Sequence, residues 1–192
     1  MNRTKYFLAS LLIVLGGMFA TFSTANAQCS NCPYDANWYP NIPWNTRHDT
    51  IIYTVNNVTC TTIVNYCYRT VGLVAPFTEI FLCGAVYIPS GCAGFNNWDY
   101  REIDKFITEE IIKQNKGGVF PPCPVCPWVE PNYRTYYIGC KNGEINCDNT
   151  HAFCVISYTL CCKDGEAILT EQGRSFQGTC PDGCLPDSCY WP

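Results

Sequence analysis

No cluster of lysine and arginine occurs anywhere in this chain, so nothing suggests a basic surface for nucleic acid or an anionic membrane. No second apolar run follows the one at the N-terminus, and a transmembrane anchor is therefore not expected. Low-complexity tracts and flexible linkers are missing as well. Histidine is nearly absent, with His48 and His151 the only two. No serine stands in a Gly-x-Ser-x-Gly context; Ser175, in Gly173-Arg-Ser-Phe-Gln, lacks the closing glycine. A hydrolytic triad needs a nucleophile beside a histidine, and these gaps leave little to build one from.

Cysteine is what the chain has in excess. Arg3 and Lys5 precede an apolar run over residues 6–22, and Ala25-Asn26-Ala27 offers a small-x-small cleavage site. Residues 1–27 therefore read as a signal peptide cut near Ala27. Gln28, neither small nor apolar, argues against a lipid-modified Cys29. Residues 28–192 then form one secreted, disulfide-rich domain, extracellular or periplasmic. Without Arg3 and Lys5, ten basic residues face sixteen acidic ones, a net charge of −6 that mostly favours solubility. All sixteen cysteines lie beyond the cut: Cys29, Cys32, Cys60, Cys67, Cys83, Cys92, Cys123, Cys126, Cys140, Cys147, Cys154, Cys161, Cys162, Cys180, Cys184 and Cys189. An even count leaves no spare thiol, and all sixteen are expected in structural disulfides whose pairing spacing alone does not reveal. Eight bridges at about 2–4 kcal/mol each exceed what a domain of this size needs to fold. The excess suggests resistance to proteases, drying or mechanical load.

Two stretches echo one another, Cys60-Thr-Thr-Ile-Val-Asn-Tyr-Cys67 and Cys154-Val-Ile-Ser-Tyr-Thr-Leu-Cys161. Residues 51–71 are rich in Ile, Val, Thr and Tyr and hold no glycine or proline, which is strand chemistry. In one extended strand, cysteines seven residues apart are roughly 23 Å apart at about 3.3 Å per residue. Seven is an odd step, so their side chains also point to opposite faces. A disulfide needs Cα atoms within about 7 Å. Cys60 and Cys67 must therefore find different partners, one on each face, as must Cys154 and Cys161. Pro89-Ser-Gly-Cys92 and Pro181-Asp-Gly-Cys184 extend the echo, giving half-repeats at about 49–92 and 149–184. Chance recurrence in a strand-rich chain explains this at least as simply, and internal duplication stands as the alternative.

The remainder fits a mainly β (α+β) fold, an antiparallel β domain with one amphipathic helix. Residues 28–48 read as a loop-like arm pinned by cysteines and packed rings. Asn56-Asn57 is the one turn site in 51–71, and residues 78–88 read as a further strand with a bulge at Gly84. Apolar residues at Tyr100, Ile103, Phe106, Ile107, Ile111 and Ile112 give the only helical period, predicting a helix over 99–116. Asp99 with Glu102 forms a capping box and Gly117-Gly118 the stop. Prolines 121, 122, 124, 127 and 131 exclude helix from the segment that follows. Strands are expected over 133–140, 144–147, 153–163 and 166–170, with turns at Asn142-Gly143 and Asp164-Gly165.

Candidate chemistry is sparse. Cys123-Pro-Val-Cys126 could be half of a zinc site or a redox pair. Zinc wants a second pair, and the nearest, Cys29-x-x-Cys32, lies far upstream. A redox pair wants a helix starting at its first cysteine, where this chain has prolines. Glu102, Glu109 and Glu110 read as a solvated helix face rather than a glycosidase pair. Asp148-Asn149-Thr150 lacks the alternating ligands of a calcium loop. Asn57-Val-Thr59 is a glycosylation sequon, meaningful only in a eukaryotic secretory pathway. Five tryptophans and thirteen tyrosines are the remaining signal. Trp38, Trp44, Tyr133, Tyr137 and Trp191 are candidates for an exposed ring surface that binds a glycan or a protein, against rings that merely fill space around disulfides. The favoured function is a non-catalytic secreted protein, structural or binding, at a cell surface or in extracellular matrix, with no cofactor or metal. A secreted hydrolase with an unrecognised site and a zinc-binding or thiol-redox protein using Cys123 and Cys126 are the alternatives.

Overall fold

A computed structural model of the chain describes residues 32–33, 42–72, 76–83, 95, 98–128, 130–142, 145–146, 152–186 and 189. Two antiparallel meanders lie side by side in one six-stranded sheet. The first is β1 (Asn45–Val55), β2 (Val58–Val71) and β3 (Phe77–Leu82). The second is β4 (Tyr133–Ile138), β7 (Ala152–Lys163) and β8 (Glu166–Gly178). They meet at β3 and β4, which run parallel. A parallel pair needs a long crossover, and this one contains helix α1 (Tyr100–Gln114) and the proline segment. The order is β1-β2-β3-β4-β7-β8, and short strands β5 (Cys140–Asn142), β6 (Ile145–Asn146) and β9 (Leu185–Pro186) form a separate three-stranded sheet. The expected fold class stands: mostly β, antiparallel-dominated, disulfide-rich, with one helix among the described residues.

Both long hairpins turn where turn chemistry placed them. Asn56 and Asn57 have φ of 49° and 64°, and Val55 pairs with Val58. Asp164 and Gly165 have φ of 54° and 86°, and Lys163 pairs with Glu166. Two left-handed central residues match the right-handed twist of the flanking strands. Other boundaries moved. β1 starts at Asn45, inside the expected arm, because its polar first residues pair with Asn65 to Tyr68 although their composition is not strand-like. β3 ends at Leu82, and residues 84–88, Gly84 included, lie outside the described residues. β4 stops at Ile138 because Gly139 runs against β7. A Cβ there would lie 2.8 Å from the Phe153 carbonyl carbon and 2.9 Å from the Phe176 ring, so the chain bends away and Cys140 joins the second sheet. In that sheet Asn142 pairs with Ile145, one residue later than an Asn142-Gly143 turn would allow. β8 runs eight residues past Thr170 and carries a bulge opposite Ser157 and Tyr158.

α1 is capped as its sequence implies. Asp99 accepts from the Arg101 and Glu102 amides, and Glu102 accepts from the Asp99 amide. Asn115 closes the helix in the left-handed conformation, two residues before Gly117, and Lys116–Gly118 form a short 3-10 turn. Ile107, Ile111 and Ile112 bury against the sheet, where the core holds Ile51, Tyr53, Val64, Tyr66, Ile80, Tyr133, Ile156 and Tyr158. The β8 bulge puts Glu171 and Arg174 on this same side, although residues three apart in a regular strand face opposite ways. Glu171 then meets Arg174 at 2.5 Å and Lys105 of the helix at 3.5 Å.

The opposite face is covered at its centre too, where a cluster of Tyr136, Phe153 and Val155 lies beside a buried ion pair. Arg69 of β2 meets Glu79 of β3 at 2.5 Å, with side-chain exposures of 3% and 0%. Tyr136 of β4 donates to the other Glu79 oxygen at 2.5 Å. Burial, then the Glu79 carboxylate, raises the Tyr136 hydroxyl, so it remains a donor. The Arg69 guanidinium stacks 4.4 Å from the Trp44 ring centre. One hydrogen-bonded rung thus crosses three strands, including the parallel junction.

Two outcomes follow for stability. Arg69→Met should cost roughly 3–5 kcal/mol by leaving Glu79 buried and unpaired, and adding Glu79→Met should recover much of it. Urea unfolding of the two single variants and the double variant, disulfides intact, measures this; additive losses would contradict it. Separately, burial and then Asp99 raise the Asp104 carboxyl to about 7. A raised acid binds its proton more tightly in the folded state, so its contribution is full below the unfolded value near 4 and fades as pH rises through about 7. Asp104→Asn should flatten the urea midpoint between pH 5 and pH 8, whereas the parent loses stability over that range.

Candidate binding cleft

The proline segment between α1 and β4 has few amides to spend on structure, and two asparagine side chains substitute for them. Asn115 donates to the Phe120 carbonyl at 3.2 Å and accepts from its amide at 2.9 Å. Asn132 donates to the Leu160 carbonyl at 2.9 Å and accepts from its amide at 2.7 Å. Each carboxamide mimics a strand partner. Between them, the Cys126 amide donates to the Cys162 carbonyl at 3.1 Å, and the Cys162 amide donates to the Pro124 carbonyl at 2.7 Å. Disulfides Cys123–Cys162 and Cys126–Cys161 lock the same stretch onto the end of β7.

Held this way, the segment encloses a cleft of about 240 Å³. Pro121, Pro122, Pro124 and Pro131 line it, and Pro76 contributes from the start of β3. Trp128 and Glu130 line it as well, both exposed, Trp128 by 43%. The inner residues are Asn132, its amide already engaged with Leu160, and Tyr133, 3% exposed and packed edge-on against Phe120 at 5.9 Å. Burial raises the Tyr133 hydroxyl to about 12, so it is neutral near pH 7. Among the described residues of the lining, Glu130 is the one acidic or basic residue other than that phenol.

The expected ring surface takes a different form. Tyr133 and Tyr137 are core residues, 3% and 6% exposed, because odd positions of β4 face the helix. Tyr136, on the other side, is buried beneath Trp44. Trp44 is half-buried in that cluster, its indole N–H without an acceptor. Trp38 and Trp191 lie outside the described residues. Trp128 had no place among the candidates. A tryptophan directly after Cys-Pro in a proline run sits on no periodic face that could bury it, and that was the available signal.

Thiol chemistry has no thiol among the described cysteines. Cys123 and Cys126 pair with Cys162 and Cys161, not with one another. Cys32–Cys67, Cys140–Cys180 and Cys154–Cys189 are formed as well. Cys60, Cys83 and Cys184 are also disulfide-bonded, while Cys29, Cys92 and Cys147 lie outside the described residues. Among the described residues no group of three or more His, Cys, Asp or Glu side chains could hold a metal, and no helix is long and apolar enough to cross a membrane. His48 is hydrogen-bonded to Asn65 at 2.6 Å on edge strand β1. Ser175 is on β8, the opposite edge, roughly 24 Å away at about 4.8 Å per strand. His151 and Asp148-Asn149-Thr150 lie outside the described residues. Glu102 is engaged in the helix cap, Glu109 faces Lys105 at 3.9 Å and Glu110 faces Lys113 at 3.1 Å. Asn57 of the sequon is exposed at the β1–β2 turn. No protein-family model matches the chain, and neither the curated proteins nor the solved structures contain a match.

Peptide mapping of the unreduced protein after thiol alkylation should return Cys123 joined to Cys162 and Cys126 joined to Cys161, all four unalkylated. A Cys123–Cys126 loop in the map would contradict this arrangement.

Proposed function

We propose that the chain is a non-catalytic, disulfide-caged protein that is exported and works outside the cytosol, at a cell surface or in an extracellular matrix, as a structural or binding component. The observation that carries this reading is the placement of the bridges. Cys32–Cys67, Cys154–Cys189 and the Cys123–Cys162 and Cys126–Cys161 pair tie the N-terminal arm, the C-terminal tail and the proline segment to the two middle strands. Cross-links that span distant parts of the chain constrain the unfolded state most, and they persist only in oxidising surroundings. Glu102, Glu109, Glu110 and His48 have structural partners. A partner would be a protein or a glycan, and the cleft beside Trp128 is the described surface best suited to meet one. The like places of β2 and β7, each the middle strand of a meander, support the two halves being copies of one unit.

Expression with a C-terminal tag and recovery of the exported fraction tests this. The N-terminus should read Gln28-Cys29, and the folded protein should survive a broad-specificity protease until a reductant is added. Recovery in the cytosol with titratable thiols, or equal digestion with and without reductant, would overturn the reading.

A further inference from the structure

The cleft has the wrong inventory for a sugar and the right one for a single charged side chain. Its volume of about 240 Å³ falls below the roughly 300–1,000 Å³ of ordinary small-molecule sites. Sugar recognition calls for several directed donors and acceptors. Proline walls carry no N–H, and the Asn132 amide is committed at both atoms. What the described lining offers is an apolar channel, the ring of Trp128 and the Glu130 carboxylate. Among the described residues of the lining there is no lysine or arginine. Trp128 and Glu130, two residues apart in sequence, both line the cleft. An aliphatic stem with a cationic head complements every part: the stem against proline carbons, the cation over the indole face and beside the carboxylate.

We propose that this cleft binds one lysine or arginine side chain of a partner protein, making the chain a receptor for exposed basic residues. This rests on the non-catalytic binding reading given above and names its ligand chemistry. The prolines and the two flanking disulfides hold the walls in place before binding, so little ordering entropy opposes a small contact.

The test uses the oxidised protein beginning at Gln28, with N-acetyl-arginine amide and N-acetyl-lysine amide as probes and the citrulline, norleucine and phenylalanine amides as controls, followed by NMR. The Trp128 indole resonance should shift with the arginine and lysine probes, at least about tenfold more weakly with citrulline and norleucine, and the affinity should fall as salt is raised. Glu130→Gln should weaken arginine binding by about tenfold, and Trp128→Ala should remove it. Equal shifts with citrulline or norleucine, preferential binding of phenylalanine amide, or arginine shifts that Trp128→Ala leaves unchanged would each overturn the proposal. Both variants should keep the parent's disulfide map and protease survival. Lost binding in an intact, exported protein therefore bears on the cleft alone, while free thiols in the parent would undo the wider reading.

Discussion

The structure depends on a parity constraint: in a β-strand, two cysteines seven residues apart cannot see the same partner. Cys154 faces the helix side and joins Cys189, while Cys161 faces the other side and joins Cys126. Cys67 reaches Cys32 on the far side of β2, and Cys60 is buried on the helix side. β7 is thus anchored on both faces, and β2 on its far face, by segments remote in sequence. Those segments are the irregular ones, arm, connector and tail, which on their own bury too little apolar surface to order themselves. The sulfurs convert them into cover for the sheet, and the centre of β2 is consequently buried at four successive residues, Val64 to Cys67.

Covering both faces creates an electrostatic problem that the rung across β2, β3 and β4 resolves. Arg69 and Glu79 sit opposite one another in the ladder, so their pairing adds specificity to a register that apolar residues alone would set less sharply. Tyr136 satisfies the remaining Glu79 oxygen across the parallel junction, where hydrogen bonds slant and pairing is slightly weaker per residue. A buried ion pair contributes little net stability over an apolar substitute. Its value here lies in penalising any slip that would separate the partners.

Local chemistry made the elements legible and hid their limits. The Asn56-Asn57 and Asp164-Gly165 turns, the Asp99–Glu102 cap and the isoleucine stripe of α1 are all signals contained within a few residues, and all appear in the fold. The limits of β1, β4 and β8 depend on neighbours instead. Asn45 to Asp49 is strand because β2 offers partners, and β4 ends where Gly139 meets β7. Parity required separate partners for each cysteine pair but could not name them. The tyrosines of β4 show the same limit: alternation separated Tyr136 from Tyr133 and Tyr137, yet both sets are buried because both faces are covered.

Trp128 exposes the reverse side of that rule. Rings on strand and helix faces such as Tyr53 with Phe106 and Tyr136 with Phe153 enter ring clusters, while Tyr100 at the start of α1 stays 44% exposed. Trp128 lies on no such face, and the connector that carries it is fixed from below by Cys123, Cys126 and the two asparagines as well as by the buried Phe120 ring. Phe120 packs into the core at the start of the connector, but beyond it sulfur and side-chain amides do the anchoring, and Val125 and Trp128 are released from packing duty. Val125, 82% exposed, and Trp128 are left outward at a site whose backbone is nonetheless held. A rigid backbone with unspent apolar side chains is the physical condition for recognition without an ordering cost. In this chain the disulfides that protect the fold are also what create that condition.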